Sequence, residues 1–510
     1  VTTLKPTAEQ AAAAEAFEAG DHLVIQAGAG TGKTTTLALL AHATRRRGRY
    51  LAFNRAIAQA AAQAFPRTVI CKTAHSLAFA AIGHRYAARL NAPRIPSWRT
   101  GVELGINRSI TLDGRDLSPR ALSALVLRTV ERFCHSADPV LGARHVPRLR
   151  GIDTGELHAE LADLVLPYAG KAWADLQHPD QGVVRFEHDH YLKMWALSQP
   201  RIGADFLLLD EAQDTNPVLE EVFLNQRGHA QLVMVGDSAQ AIYGWRGAKD
   251  VMTGFDGTPL TLSRSFRFGP ALAQEANRWL AIAGAPIRLT GTDTIPSEIG
   301  EVQEPEAVLC RTNVGAMVEI MKHLDDGCAV ALAGGGQALR ALAHAARDLQ
   351  AGRRTSHPEL VLFTTWGDLI DYAEHDPAGR DLQPLVDLVG EHGADTILHA
   401  ADCLVDERYA GVTVSTAHKA KGRQWATVRI AGDFTPPPDL EESDENGEPL
   451  PGPIDDAEAR LAYVAVTRAR YALDLGGLSW IHHHPAGQAG GAPAASQAPS
   501  TEQPGQARQR

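Results

Sequence analysis

Short apolar runs alternate along this chain with longer segments whose apolar residues recur at helical spacing. Residues 7–19 are alanine-rich with that spacing and predict a helix. Residues 23–26 read as a buried strand, and 35–40 as the first turns of a following helix. A second strand is expected over 49–53, a helix-forming run over 56–64 and a third strand over 68–71. This alternation predicts a parallel sheet with helices on both faces. It breaks over 84–190, where helical stretches at 117–136 and 154–171 lie between Pro and Gly, so a mostly helical insert is expected there. The strand pattern resumes at 206–209 and 231–235, and 260–262 begins the next unit.

Strand candidates at 308–310 and 329–332 open a second α/β unit. Residues 346–404 form a small, largely helical excursion, and 412–415 and 427–430 return to the strand pattern. The stretch 436–453 is rich in Pro, Gly and acids and reads as a loop, while 460–470 reads as a helix. Beyond about His482 the chain is Pro, Gly, Ala, Gln and Ser without a packing pattern, which predicts a disordered tail.

Composition narrows the picture. A chain of 510 residues should hold about two to four domains. It is 44% hydrophobic and 21% charged, which is globular, and no apolar run is long enough to span a membrane. Residues 1–10 are polar and lack the apolar stretch of a signal peptide. Five widely spaced cysteines suggest neither a disulfide framework nor a metal site and fit a reducing cytoplasm. A formal net charge of −11 argues against a protein wrapped in nucleic acid, yet leaves room for a narrow basic groove.

The chemistry centres on Gly28-Ala29-Gly30-Thr31-Gly32-Lys33-Thr34, between a predicted strand and a predicted helix. Glycines there let backbone N–H groups converge on phosphate oxygens, and the helix N-terminus adds its own donors. Lys33 would reach the outer phosphates and the Thr34 hydroxyl would sit on Mg²⁺. Asp210-Glu211 closes an apolar strand at the mouth of the sheet, with Asp210 suited to hold Mg²⁺ and Glu211 to polarise the attacking water. A lone Asp-Glu pair is usually surface decoration; the apolar strand before this one and the phosphate loop upstream favour chemistry. Gln240, after another buried strand, is placed to sense that water or the terminal phosphate, and Tyr243, Trp245 and Arg246 follow at once. Core aromatics are the bland alternative for that pair. Basic residues lie late in the chain in Ser263-Arg264-Ser265-Phe266-Arg267, His418-Lys419-Ala420-Lys421 and Thr467-Arg468-Ala469-Arg470. Spacing alone does not choose among these arginines for charge neutralisation across a domain gap.

Taken as an ordered set, these segments resemble the UvrD/Rep/PcrA-type superfamily 1 DNA helicases, and especially the F-box-helicase-like branch without an F-box. The likeness covers residues 7–34, 51–79, 185–276, 307–315 and 411–470, with 186–195 and 265–269 supplying the branch-level part. It implies an α/β fold of two RecA-like parallel-sheet domains with mostly helical inserts. The expected domains are 1–83 with 191–257 and 258–345 with 405–482, the inserts 84–190 and 346–404, and a tail over 483–510. It further implies that Gln10 reads the adenine edge, and that Lys33, Thr34, Asp210, Glu211 and Gln240 form the catalytic ATPase set. Arg267 and Arg468 would engage the γ-phosphate. Gly28, Gly30, Gly32, Thr35 and Gln424 would complete the ATP site, and Phe53, Asn54, His75, Tyr243, Trp245 and His418 would line or stack on single-stranded DNA. Base stacking on aromatics tolerates any sequence, which suits a stepping motor.

The activity implied is ATP- and Mg²⁺-dependent translocation on single-stranded DNA with duplex unwinding, 3′ to 5′, in repair or recombination. The partners implied are single strands, single/double-strand junctions and repair or recombination proteins, with no membrane and at most weak self-association. A nucleotide-gated DNA-remodelling protein and the motor of a helicase–nuclease complex remain as alternatives. Two departures matter. Gln424 stands where the family often has a glutamate that accepts from the ribose, and the 346–404 insert is short, so translocation is the safer expectation than vigorous unwinding.

Overall fold

The computed structural model describes residues 5–490 apart from 53, 91–96, 150–154, 243–250, 356, 358–359, 361–362, 376–381, 443–446 and 448. The early part builds on β1 (Leu23–Ala27), β2 (Gly48–Ala52) and β3 (Val69–Thr73), followed by a two-stranded hairpin of β4 (Ile110–Leu112) and β5 (Arg115–Leu117). Then come β6 (Phe206–Leu209), β7 (Gln231–Gly236) and β8 (Thr258–Leu262). Apart from the antiparallel hairpin, these strands form one six-stranded sheet in the order β3-β2-β6-β7-β1-β8. Every neighbouring pair in it is parallel. β6 and β7 are buried at every position, as continuous apolar runs must be when helices cover both faces.

The later part adds β9 (Glu298–Ile299), β10 (Ala307–Cys310), β11 (Val330–Leu332), β12 (Val412–Thr416), β13 (Trp425–Ile430) and β14 (Ala469–Asp474). They make a second six-stranded sheet, β11-β12-β10-β13-β14-β9, also parallel throughout. Two parallel sheets, each crossed by helices, are the α/β architecture expected from the strand–helix alternation.

Four expectations shift. β8 belongs to the first sheet: Leu23 pairs with Thr258 on one side and Val233 on the other, so the division drawn at 257/258 falls too early. The helix expected over 460–470 runs instead over Asp456–Val466, with Asp455 accepting from the Ala457 N–H at its start. Residues from Ala469 then pair along β13 as a strand. The excursion at 346–404 is helical, but its helices Trp366–His375, Gln383–His392 and Ala394–Cys403 share one core with β10, β11 and β12, so it is part of the second sheet's packing. The tail expected from 483 still holds a helix, Pro485–Gly490, and Arg278 donates to the Gly487 carbonyl.

In the insert between β3 and β6, the helices Pro119–Cys134 and Gly155–Leu176 pack into the core that also holds Leu207, Leu209 and Leu232 of the first sheet. Among the described residues, no helix is long and apolar enough to cross a membrane.

Candidate nucleotide site

The C-terminal ends of β1, β6 and β7 open on one mouth, where parallel sheets present ligands. The loop after β1 turns through Gly30 (φ +75°) and Gly32 (φ +79°), a region that glycine enters without strain. At Gly30 a Cβ would also lie 2.5 Å from Ser265 Oγ and 2.6 Å from Arg267 Cβ, so the later chain is pressed against this turn. The helix Lys33–His42 starts at once, and its N-terminus has no side-chain cap. Its first-turn N–H groups thus remain for an anion. Gln10 ties the preceding helix to this one. Its Oε1 accepts from the Thr7 N–H and its Nε2 donates to Thr36 Oγ1 at 3.1 Å, which leaves one amide hydrogen. Thr35 is exposed in the first helical turn.

Asp210 and Glu211 sit where β6 ends. Asp210 Oδ2 accepts from the Thr34 hydroxyl at 2.7 Å and from the Tyr50 hydroxyl at 2.5 Å, and Oδ1 accepts from the Glu211 N–H. Burial, then the adjacent Glu211 carboxylate, raises the Asp210 pKa. Glu211 moves the other way. Burial opposes its charge, but Lys33, with a hydrogen bond from Gln213, holds it below the usual carboxylate range. Lys33 Nζ lies 3.6 Å from Glu211 Oε2. Glu211 itself has φ +52°, a left-handed conformation costly for a residue with a Cβ. Gln240 is buried and donates to Asp237 Oδ2 at 2.6 Å.

The later chain supplies the opposite wall. Arg267 is half-buried, its Nη1 donating to the Thr467 carbonyl at 2.9 Å, while its Nε is enclosed without a partner. Arg468 is 1% exposed and donates to the carbonyls of Val464 and Arg423 and to Thr467 Oγ1. Burial and the neighbouring Arg267 lower its pKa. Arg468, fully buried, and Arg267, half-buried beside it, have no ion-paired carboxylate among the described residues, and a triphosphate would supply that anion. A Thr hydroxyl and a carboxylate bonded to each other, beside a phosphate cradle, likewise fit Mg²⁺, which takes few protein ligands alongside phosphate oxygens.

The remaining expected residues spread out. Gln424 is exposed in the turn before β13. Asn54 caps the helix Arg55–Ala64 by accepting from the Ile57 N–H at 2.9 Å. His75 is half-exposed and its Nε2 bonds Asp189 Oδ1 at 2.9 Å; Asp189 also bonds His135 at 3.2 Å. His418 is half-buried in the short helix Ala417–Ala420 after β12. Phe53, Tyr243 and Trp245 lie outside the described residues.

Sequence reasoning gave no individual role to several groups. Tyr50 on β2 is fully buried and anchors Asp210; a phenol directly before apolar Leu51 and Ala52 was the available signal. Phe266 is 46% exposed although it adjoins the cradle, and its N–H donates to the Gly30 carbonyl at 2.8 Å. Lys421, from the turn after β12, pairs with Asp214 at 2.5 Å and donates to the Gln240 carbonyl. Tyr463 sits alone among Leu, Ala and Val in a buried helix, yet its hydroxyl reaches the phosphate loop at Ala29.

Comparisons with known proteins return DNA helicases. The model of the UvrD/REP helicase N-terminal domain matches residues 183–253, which include Asp210, Glu211 and Gln240. The chain is 30% identical to F-box DNA helicase protein 1 of Schizosaccharomyces pombe, over 89% of this chain and 55% of that protein. It is 28% identical to F-box DNA helicase 1 of Gallus gallus, over 90% of this chain and 47% of that protein. It is 27% identical to the ATP-dependent DNA helicase UvrD2 of Mycobacterium bovis, over 54% of this chain and 47% of that protein. The chain spans about half the length of the curated relatives it matches.

Proposed function

We propose that this chain, a UvrD-like superfamily 1 protein by its matched segment and its relatives, is an ATP-driven motor on single-stranded DNA. The observation that carries the proposal is Arg267, pressed against the phosphate loop at Gly30, beside the buried Arg468, with neither guanidinium ion-paired to a carboxylate among the described residues. ATP would be the anion that completes the cluster. Gln10 and the exposed ring of Phe266 flank the loop on the side where a base would lie. Lys33 and the loop N–H groups would hold the phosphates, and Thr34 and Asp210 would hold Mg²⁺, whose role is to offset phosphate charge. Glu211, kept ionised by Lys33, would orient the attacking water and accept its proton as the bond to the ADP oxygen breaks. Arg267 and Arg468 would take up the charge that develops on the transferred phosphoryl group.

Because those arginines come from the later chain, occupancy of the pocket sets the gap between the two sheets. A strand lying across both would advance as the gap closes and opens. Polarity is proposed as 3′ to 5′ on family resemblance, with unwinding of tailed duplexes and a role in repair or recombination.

The test measures ATP hydrolysis with and without single-stranded DNA, then unwinding of 3′-tailed and 5′-tailed duplexes. Hydrolysis that rises at least tenfold with DNA, and unwinding of the 3′-tailed substrate alone, is the expected result. Hydrolysis indifferent to DNA would overturn the motor. DNA-stimulated hydrolysis without unwinding would leave a translocating or remodelling protein.

A further inference from the structure

The Tyr463 hydroxyl, carried by the later chain, touches the first sheet's side of the nucleotide site at two points. It lies on the helix Asp456–Val466, which leads directly into Arg468, and the side chain is fully buried. The hydroxyl accepts from the Ala29 N–H of the phosphate loop at 2.9 Å and donates to Asp237 Oδ2 at 2.9 Å. The same Asp237 oxygen accepts from Gln240 Nε2 at 2.6 Å. One turn earlier on the helix, Arg460 donates to the Ser238 carbonyl at 3.2 Å. A continuous path of hydrogen bonds therefore runs from the loop that would cradle the phosphates, through one phenol of the later chain, to Gln240.

Burial, then the Asp237 carboxylate, holds the phenol's pKa well above its ordinary value, so it stays protonated and keeps its donor role. A buried phenol with one acceptor site and one donor site in use has little capacity for a second arrangement. If phosphate contact shifts Ala29, the helix must follow or the bond must break. The same holds for Gln240 through Asp237.

We infer that Tyr463 is a positioning residue that relays nucleotide occupancy from the phosphate loop to the later domain, by tying Ala29 and the Asp237–Gln240 pair to the helix that delivers Arg468. This rests on the motor reading above and adds the device by which the pocket moves the second sheet. The hydroxyl itself need not touch nucleotide, so its loss should leave nucleotide affinity largely intact while releasing the helix from the loop's state.

The experiment uses the full chain and compares single-strand affinity in nucleotide-free protein and with a non-hydrolysable ATP analogue. In wild type the two affinities should differ by roughly tenfold. In Tyr463→Phe that difference should shrink to less than about twofold, with analogue affinity within about threefold of wild type and kcat for DNA-stimulated hydrolysis lowered about tenfold at unchanged KM. Asp237→Asn, which disturbs the same oxygen, should reproduce the collapse, and the double variant should be no worse than either single one. If Tyr463→Phe does not fold, Asp237→Asn carries the test alone. A variant that keeps the full nucleotide-dependent difference overturns the relay. A variant that loses analogue binding altogether also overturns it, since Tyr463 would then be part of the pocket wall. If wild type itself shows no nucleotide-dependent difference and no DNA-stimulated hydrolysis, the motor reading falls.

Discussion

β1 and β10 are interior strands of their respective sheets, and each ends in a short turn that leads into a helix. The two helix N-termini are finished in opposite ways. After β1 the helix Lys33–His42 begins without a side-chain cap, and its loop carries glycines and a lysine. After β10 the helix Asn313–Asp325 is capped by Thr312, whose hydroxyl accepts from the Gly315 N–H. Asp433, from just beyond β13, fills the rest. Its carboxylate accepts from the Arg311 N–H, the Thr312 N–H at 2.8 Å and the Thr312 hydroxyl. A Cβ at Gly315 would lie 1.9 Å from Asp433 Oδ2, so the space is taken. One mouth leaves its donors for a phosphate, and the other satisfies them with a carboxylate of its own chain. A helix N-terminus favours an anion wherever it lies; whether it becomes a ligand site depends on whether the chain supplies that anion itself. On the proposed function, the second sheet would serve the first by lending its open mouth arginines.

The largest effect expected on breaking this asymmetry comes at the open mouth. Lys33→Ala should lower kcat for ATP hydrolysis on the order of a thousandfold, equivalent to about 4 kcal/mol, while single-strand binding persists. Wild-type-like turnover would show that the loop is not the site. Next in size is the arm reaching over from the second sheet. Arg468→Ala should reduce kcat on the order of a hundredfold while ATP still binds, because its charge matters most as the phosphoryl group transfers. A pure affinity loss would assign it to ground-state binding.

The filled mouth should answer in stability. Asp433→Ala leaves several backbone and hydroxyl donors without their acceptor and should lower the unfolding free energy by about 2 kcal/mol in urea melts. Nucleotide stoichiometry should remain unchanged. A second bound nucleotide in that variant would mean the plug alone hides a working site. The smallest effect lies away from both mouths, at His135. Its hydrogen bond to Asp189 raises its pKa, although burial opposes the charge, so the folded state binds this proton more tightly than the unfolded chain. The contribution is therefore full below the unfolded value of about 6.5 and is lost as pH rises through the raised folded value. His75, Glu131 and Glu187 also lie in or near this cluster. Both His135 and Asp189 are about one-third exposed, so the loss should stay below about 1 kcal/mol between about pH 6 and pH 8. It should flatten in Asp189→Asn, and a slope that survives this change would place the titration elsewhere.

The open mouth was legible in the sequence because its chemistry is local. Gly30, Gly32, Lys33 and Thr34 are consecutive or nearly so, and Asp210 and Glu211 follow an unbroken apolar strand. Residue type and spacing carry that information. The filled mouth was not legible, since Asp433 and Thr312 are far apart in sequence and neither has a distinctive neighbour. Arg267 and Arg468 could be selected only through family resemblance, because spacing treats them like any other arginine. Tyr463 and Tyr50 escaped for a related reason. A hydroxyl in an apolar run predicts burial, while its partner is set by how the elements meet. The boundary errors share that origin: β8 reads as a new unit in sequence, and only its pairing with β1 returns it to the first sheet.

The left-handed backbone at Glu211 carries an evolutionary consequence. Holding a glutamate there costs the fold on the order of 1 kcal/mol or more, a strain that glycine would relieve. Replacement by glycine would discard the carboxylate and its attraction to Lys33 while relaxing the main chain. If Glu211 orients the attacking water as proposed, selection for thermal robustness alone would push this position toward inactivity. On that reading, a lineage that retained the glutamate would do so against that pressure, for the sake of turnover.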